Sequence, residues 1–583
     1  MTAVADRPRR TRTPQAALRP PETVMRLERI GSFHQTRLSF MRSLLRRIAR
    51  EGWTLSRERL ELDGAGIGVV VYAVATPGGV VRLVGFGHDL PREQRTDRVI
   101  AERWDATFAL TTAEADGTTI ERLRANVPLQ EAGRCSAAEY VLSRANKSVR
   151  LFDHVVESLA SGRQPDPEVV VNVGYLMRTT AVYGNGKFGL SDLANTFAGG
   201  VFSRPFEAEM LTVYLIREFT FDLVEHLARV RAPGSAIALA PATKRMFGIG
   251  NATGLGMAPF LISHPVLIDR WMTARETAIA RVRTLERAEP GRVARFHELL
   301  ERAIQHLGEW RTDDTRQMAR IVDLRRELPG FRVWLDRNGS DLLGSPHPWE
   351  RIAREAAARL STEGQELIHS LILEPHGDLV DDLEDEMAAD EAIDLDPVMR
   401  LDALQRLIET RYDWALAVDY GNPAQQHLFW YVSEEKLEPR LGERFKEPGA
   451  EQELRIGIGR EVKQLHGALE RALQREPTAS VAEFLLRAPA YRHSVRRVQA
   501  LAHRPYGEIR DNLLGRDIVP IDLLRCKLSM FGAIKFDPKS DRWTRITMYQ
   551  GAPCFDELDP VNADDWAFPV FLREARSPRP PGP

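Results

Sequence analysis

Gly68-Val69-Val70-Val71-Tyr72-Ala73-Val74 and Val80-Val81-Arg82-Leu83-Val84 are joined by Thr76-Pro77-Gly78-Gly79. The flanking runs are β-branched and aromatic, which suits a pleated surface, and the Pro-Gly-Gly linker supplies turn conformations. The pattern predicts an antiparallel hairpin. A further strand over 104–112 follows a short helical segment, so residues 23–130 read as an α+β subdomain. Upstream, Leu38, Met41, Leu45 and Ile48 recur at helical spacing and predict a docked amphipathic helix, with Arg37, Arg42, Arg46 and Arg50 on its surface.

Downstream the texture becomes helical, over 206–231, 257–286, 291–309 and 349–373, and residues 131–416 read as a helical central domain with glycine-rich loops. Strand texture returns at 427–432 and 542–549, with a helix over 452–475 between them, so residues 417–572 read as a C-terminal α+β region. Segments 1–22 and 573–583 are rich in proline and arginine with little to bury, and are expected to be disordered tails. The expected class is α+β and predominantly helical: a small antiparallel sheet near the N-terminus, a helical central body and a C-terminal α+β region.

The chain has 583 residues, 43% hydrophobic and 28% charged, a balance able to bury an extensive core. The formal charge of −2 gives no global field for polyanions, so nucleic acid is not an expected partner. Cys135, Cys526 and Cys554 are far apart and odd in number, which fits a reducing compartment and supplies no zinc spacing. No stretch approaches the roughly 18 apolar residues of a spanning helix. A cytoplasmic protein without membrane contact is the expectation, and a homo-oligomer is compatible with it.

The functional lead is the glycine, asparagine and aromatic-rich block over 172–265. Read as a helix, residues 169–180 place Asn172, Tyr175 and Arg178 along one stripe of an apolar element, where buried polar groups need partners or a ligand. Tyr183-Gly184-Asn185-Gly186-Lys187-Phe188-Gly189 reads as a loop whose amides form an anion nest beside Lys187. Gly248-Ile249-Gly250-Asn251-Ala252-Thr253-Gly254 reads as a second glycine loop capping a helix, with Asn251, Thr253 and His264 as hydrogen-bonding or proton-carrying groups. Tyr183 and Lys187 share the Tyr-x-x-x-Lys spacing of short-chain dehydrogenases, but the glycine motif follows instead of preceding them, which excludes that reading.

Residues 374–396 carry 11 acidic side chains and no lysine or arginine, and read as a solvated acidic segment. Asp381-Asp382-Leu383-Glu384-Asp385 has the spacing with which prenyl-diphosphate enzymes hold magnesium, yet no second acidic motif accompanies it, and no metal ligand is assigned. No motif names a cofactor. The sequence therefore predicts a metabolic enzyme for a small anionic substrate, a carboxylate or phosphate. Tyr183, Lys187 and His264 are the expected catalytic residues. Asn172, Tyr175, Arg178, Asn185, Asn251, Thr253 and Arg440 are expected to bind substrate. The alternative is a regulatory protein that meets partners through the acidic 374–396 segment and the basic N-terminal region.

Overall fold

The computed structural model describes residues 17–30, 35–89, 104–127, 136, 138–184, 201–254, 265–312, 315–387, 395–422, 458–510, 529–533, 535–540 and 543–572. The chain is α+β and mainly helical, 57% helix against 13% strand. Its strands are β1 Thr54–Leu62, β2 Gly68–Thr76, β3 Gly79–Gly87, β4 Ala106–Thr111, β5 Glu139–Lys147, β6 Tyr175–Gly184, β7 Gly248–Gly254, β8 Lys535–Ser540 and β9 Trp543–Met548. They make one nine-stranded sheet in the order β1-β2-β3-β4-β5-β6-β7-β9-β8. Neighbours are antiparallel except β6 and β7, which run parallel.

The hairpin read from the sequence is β2 and β3. The Thr76 hydroxyl closes it, donating to the Gly79 carbonyl at 2.8 Å and accepting from the Gly78 N–H at 3.1 Å. The unbroken valine run has a packing cause, because both faces of this part of the sheet are covered. Val70, Tyr72 and Val74 face the main core, whereas Val69 and Val71 pack with Phe86, Ile120 and Leu123 on the other side. The texture at 542–549 is β9, and it lies beside β7 in this same sheet. The strand expected over 427–432 lies outside the described residues.

The helices of the first half are α1 Pro21–Val24, α2 Leu27–Ile30, α3 Phe40–Glu51, α4 Gly117–Asn126, α5 Phe152–Ala160, α6 Pro167–Val173, α7 Glu207–Arg231 and α8 Pro241–Arg245. A helical body follows: α9 Pro265–Arg283, α10 Pro290–Glu309, α11 Thr315–Gly344, α12 Pro348–Arg359, α13 Thr362–Leu371 and α14 Gly377–Val380. The single helix expected over 349–373 is two, since Ser361 caps α13 by accepting from the Gly364 N–H. The last group is α15 Leu401–Arg411, α16 Asp413–Leu416, α17 Ile458–Arg475, α18 Val481–Arg487 and α19 Arg492–Ala500.

Helix α7 lies against β5, β6 and β7 as well as α3 and α5. Within residues 207–228 only Glu218, Asp222, Glu225 and His226 escape full burial. Burying each large apolar side chain of such a helix contributes about 1.5–3 kcal/mol, so α7 anchors the sheet to its helical cover.

Of the four arginines expected on the surface in and before α3, Arg50 is exposed, but the other three are not. Arg37, Arg42 and Arg46 are 4%, 0% and 8% exposed, and the acidic segment that follows α13 meets them. Arg42 donates to both Glu374 oxygens at 2.5 and 2.7 Å. Arg37 is bidentate to Asp381 at 2.7 and 2.6 Å, and Arg46 pairs with Glu384. Asp564, close to the C-terminus, accepts from Arg37 and from Arg46, each at 2.8 Å. Burial opposes ionisation of Asp564, but Arg46, Arg37 and Arg42 outweigh it and hold the carboxyl well below the usual range. Glu374, Asp381 and Glu384 are thus matched inside the fold, whereas Asp378, Asp382 and Asp385 of the same run are exposed, as a solvated segment would have them. Desolvating a charge costs several kcal/mol, so these side chains were drawn inside only because each finds a partner.

Arg46→Met tests this matching. It leaves Glu384 and Asp564 short of a cation and is expected to destabilise the protein by about 3–5 kcal/mol, seen as a lower urea midpoint. An unchanged midpoint would contradict the account.

Candidate functional site

The polar stripe of α7 opens on a cavity of about 500 Å³. Glu218, Phe221 and Asp222 of α7 line it, with Trp53, Leu55 and Arg57 at the start of β1 and Tyr72 of β2. Lys244 of α8 and the Phe555–Asp556 turn complete the wall. The spacing 218, 222, 225 is i, i+4, i+7, so three carboxylates emerge on one face of an otherwise buried helix.

Arg217 holds these pieces in place from behind. It is fully buried, and its guanidinium donates to the carbonyls of Phe247 at 2.7 Å, Lys244 at 3.1 Å, Ala552 at 2.8 Å and Pro553 at 3.0 Å. One side chain therefore ties α7 to the α8–β7 connection and to the turn that carries Phe555 and Asp556. Tyr214 adds a hydrogen bond to the Pro553 carbonyl at 2.8 Å.

Within the cavity the two carboxylates of α7 have different surroundings. Asp222 accepts from the Tyr72 hydroxyl at 2.5 Å and pairs with Arg57 at 2.7 Å. Burial, then Asp222, push the Tyr72 hydroxyl far up, so it stays protonated and donates. Glu218 has less. Its Oε1 is buried without a hydrogen bond, Arg217 stands 3.8 Å away, and the remaining interaction is with the Phe555 N–H. Burial pushes the Glu218 carboxyl up to about 7, against the pull of Arg217 and Lys244. Lys244 meets Glu225 at 3.3 Å; burial lowers its pKa, but Glu225 and its other acidic neighbours more than restore it, so it stays a cation.

The described residues of the sequence-derived site are not among those that line this cavity. The helix expected through 169–180 stops at Gly174, whose φ of +78° closes α6 and leaves Tyr175 to begin β6. Asn172 is exposed on α6, whereas Tyr175 is buried and Arg178 half-buried on β6, so the expected stripe does not exist. Gly248–Gly254 is not a loop but β7, with Asn251 and Thr253 along it. The two segments do meet, since Tyr175 lies opposite Gly248 and Arg178 opposite Gly250. Close packing, not an anion nest, accounts for Gly250: a Cβ there would stand 2.9 Å from the Tyr175 ring. Tyr183 ends β6, and Asn185, Lys187, His264 and Arg440 lie outside the described residues.

Comparison with protein-family models, with curated proteins and with solved structures finds no match for this chain. Among the described residues no helix is long and apolar enough to cross a membrane, and no group of three or more His, Cys, Asp or Glu could hold a metal ion.

The position of Glu218 has a pH signature. Its carboxyl is raised from 4.5 to about 7, so the folded protein binds a proton more tightly than the unfolded chain. The stabilising contribution of the protonated form is full below about pH 4.5 and is lost as pH rises towards 7. Relative to wild type, Glu218→Gln is therefore expected to gain stability between pH 5 and 8, read from urea midpoints at each pH. A constant difference between the two proteins across that range would remove the assignment.

Proposed function

We propose that the protein is an enzyme that moves a proton on a small molecule bound in the α7 cavity, with Glu218 as the general acid or base. The observation that carries the reading is a carboxyl titrating near 7 whose Oε1 faces no hydrogen-bond partner. General acid–base catalysis is most effective when the group's pKa lies near the working pH, and a buried group so perturbed in a cleft is a recurrent mark of a catalytic site. Lys244 and Arg57 are the cations that would hold a negative group, which keeps a carboxylate or phosphate as the substrate class. Asp222, fixed by Tyr72 and Arg57, orients the substrate and sets the field beside Glu218.

A second reading leaves the chemistry with Tyr183, Lys187 and His264. What favours it is the adjacency of β6 and β7. The regulatory alternative is narrowed to the exposed acids Asp378, Asp382 and Asp385, because Glu374, Asp381 and Glu384 are engaged within the fold by Arg42, Arg37 and Arg46.

A thermal-shift screen of small carboxylates and phosphates tests the proposal. A ligand that stabilises wild type is expected to bind about tenfold more weakly to Lys244→Ala, the loss of one charge-assisted contact. Its affinity is expected to fall as pH rises through 7, because ionised Glu218 repels an anion, and to lose that dependence in Glu218→Gln. Equal binding to all three proteins at every pH would place the ligand elsewhere.

A further inference from the structure

Helices α15–α19 close on a core of their own, built around Leu401, Leu404, Ile408, Leu465 and Val495, and it shares no residue with the main core. Among the described residues the small unit reaches the main core through residues 504–510, where Tyr506 and Ile509 enter it. There the N-terminal segment lies against that connection on one side and against the body on the other. Residues 17–22, placed by composition in a disordered tail, begin this strap, which continues through α1 and α2.

The strap grips both sides. Towards the body, Arg19 donates to Glu276 at 2.7 and 2.8 Å and to Glu366 at 2.8 Å, while Arg29 adds a bond to Glu366 at 2.8 Å. Those two carboxylates are almost fully buried, and Arg275 completes Glu366 at 2.5 Å. Burial opposes the charge on Glu366, but Arg19 and Arg275 dominate and hold its carboxyl well below the usual range. Towards the connection, which Glu508 fixes to the small unit by accepting from Tyr412 and Arg497, the Tyr506 hydroxyl donates to the Arg19 carbonyl at 2.7 Å and the Arg510 N–H to the Met25 carbonyl at 2.7 Å. The Arg510 guanidinium reaches Glu22 at 2.8 Å. The units also meet directly here, through the Tyr506 N–H to Asp269 of α9 at 2.9 Å and through α19 lying against α9.

We propose that α15–α19 are a separately folded module clasped to the body by the N-terminal strap, and that unseating the strap frees the module as a unit. The clasp is a conformational device: whatever displaces residues 17–30 changes the module's freedom without passing through the sheet or α7. Its logic is the separation of cores. A unit that holds its own apolar cluster keeps its fold when its mooring is lost, and cooperative opening of such units is a general property of large chains.

Hydrogen exchange on the full chain tests this with two variants, Arg19→Ala and Tyr506→Phe. Tyr506→Phe removes one strap bond and keeps the ring. The expected result is faster exchange, by about fivefold for a lost hydrogen bond, rising together over residues 395–503 with α7 unchanged. If Arg19→Ala does not fold, Tyr506→Phe decides alone. No acceleration in the module, or an equal acceleration in α7 and α9, overturns the proposal.

Discussion

Burying guanidinium charge is the constraint on which this structure rests. A charge moved from water into protein is tolerated only where partners surround it, and two unit charges about 4 Å apart near a protein surface interact by about 4 kcal/mol. Three separated places among the described residues show it across long stretches of chain. Arg42 and Arg46 of α3 need Glu374, Glu384 and Asp564; Arg19 and Arg275 need Glu276 and Glu366; Arg217 needs four backbone carbonyls. Each demand is met by residues far along the sequence, so neutralising the charge and bringing distant segments together are one event. The first network joins α3 to the segment after α13 and to the C-terminal region, which closes the chain upon itself.

Arg217 differs from the others because it is solvated mainly by carbonyls and has no carboxylate within hydrogen-bonding distance. Its positive charge therefore reaches Glu218, the next residue, only at 3.8 Å. Burial raises the Glu218 carboxyl to about 7, and the guanidinium that positions α8 and the Phe555 turn offsets that rise only in part.

The sequence made the local elements legible where period and composition were strong. The β2–β3 hairpin, α7 and α10 follow from residues that touch near neighbours. What it concealed depends on distant pairing. Arg37, Arg42 and Arg46 have the spacing of a solvated helix face, and nothing within 32–50 says that an acidic segment more than 300 residues later will cover them. Gly248 to Gly254 reads as a loop because glycine disfavours strands in isolation, but β6 and β9 on either side supply the ladder, and a Cβ at Gly248 or Gly250 would run into the Met548 carbonyl or the Tyr175 ring. Glu218, Asp222 and Glu225 were hidden for a similar reason, since i, i+4, i+7 acids on an apolar helix look the same whether they face bulk water or a cleft.

Burial of carboxylates alone does not single out a site, and comparison among them shows what does. Glu366 and Glu384 are fully buried, but each is met by two or more guanidiniums, and at Glu366 these hold the carboxyl well below the usual range. Glu209, also on α7, is raised to about 7 by burial as Glu218 is, yet it is not among the residues that line the cavity. At Glu218 the conditions coincide: an oxygen without a hydrogen bond, a raised pKa, and an opening of sufficient size for a small molecule. A carboxyl satisfied by arginine is fixed in its charge and stabilises the fold, whereas one left partly unsatisfied beside a cleft retains the freedom to exchange a proton with what enters it.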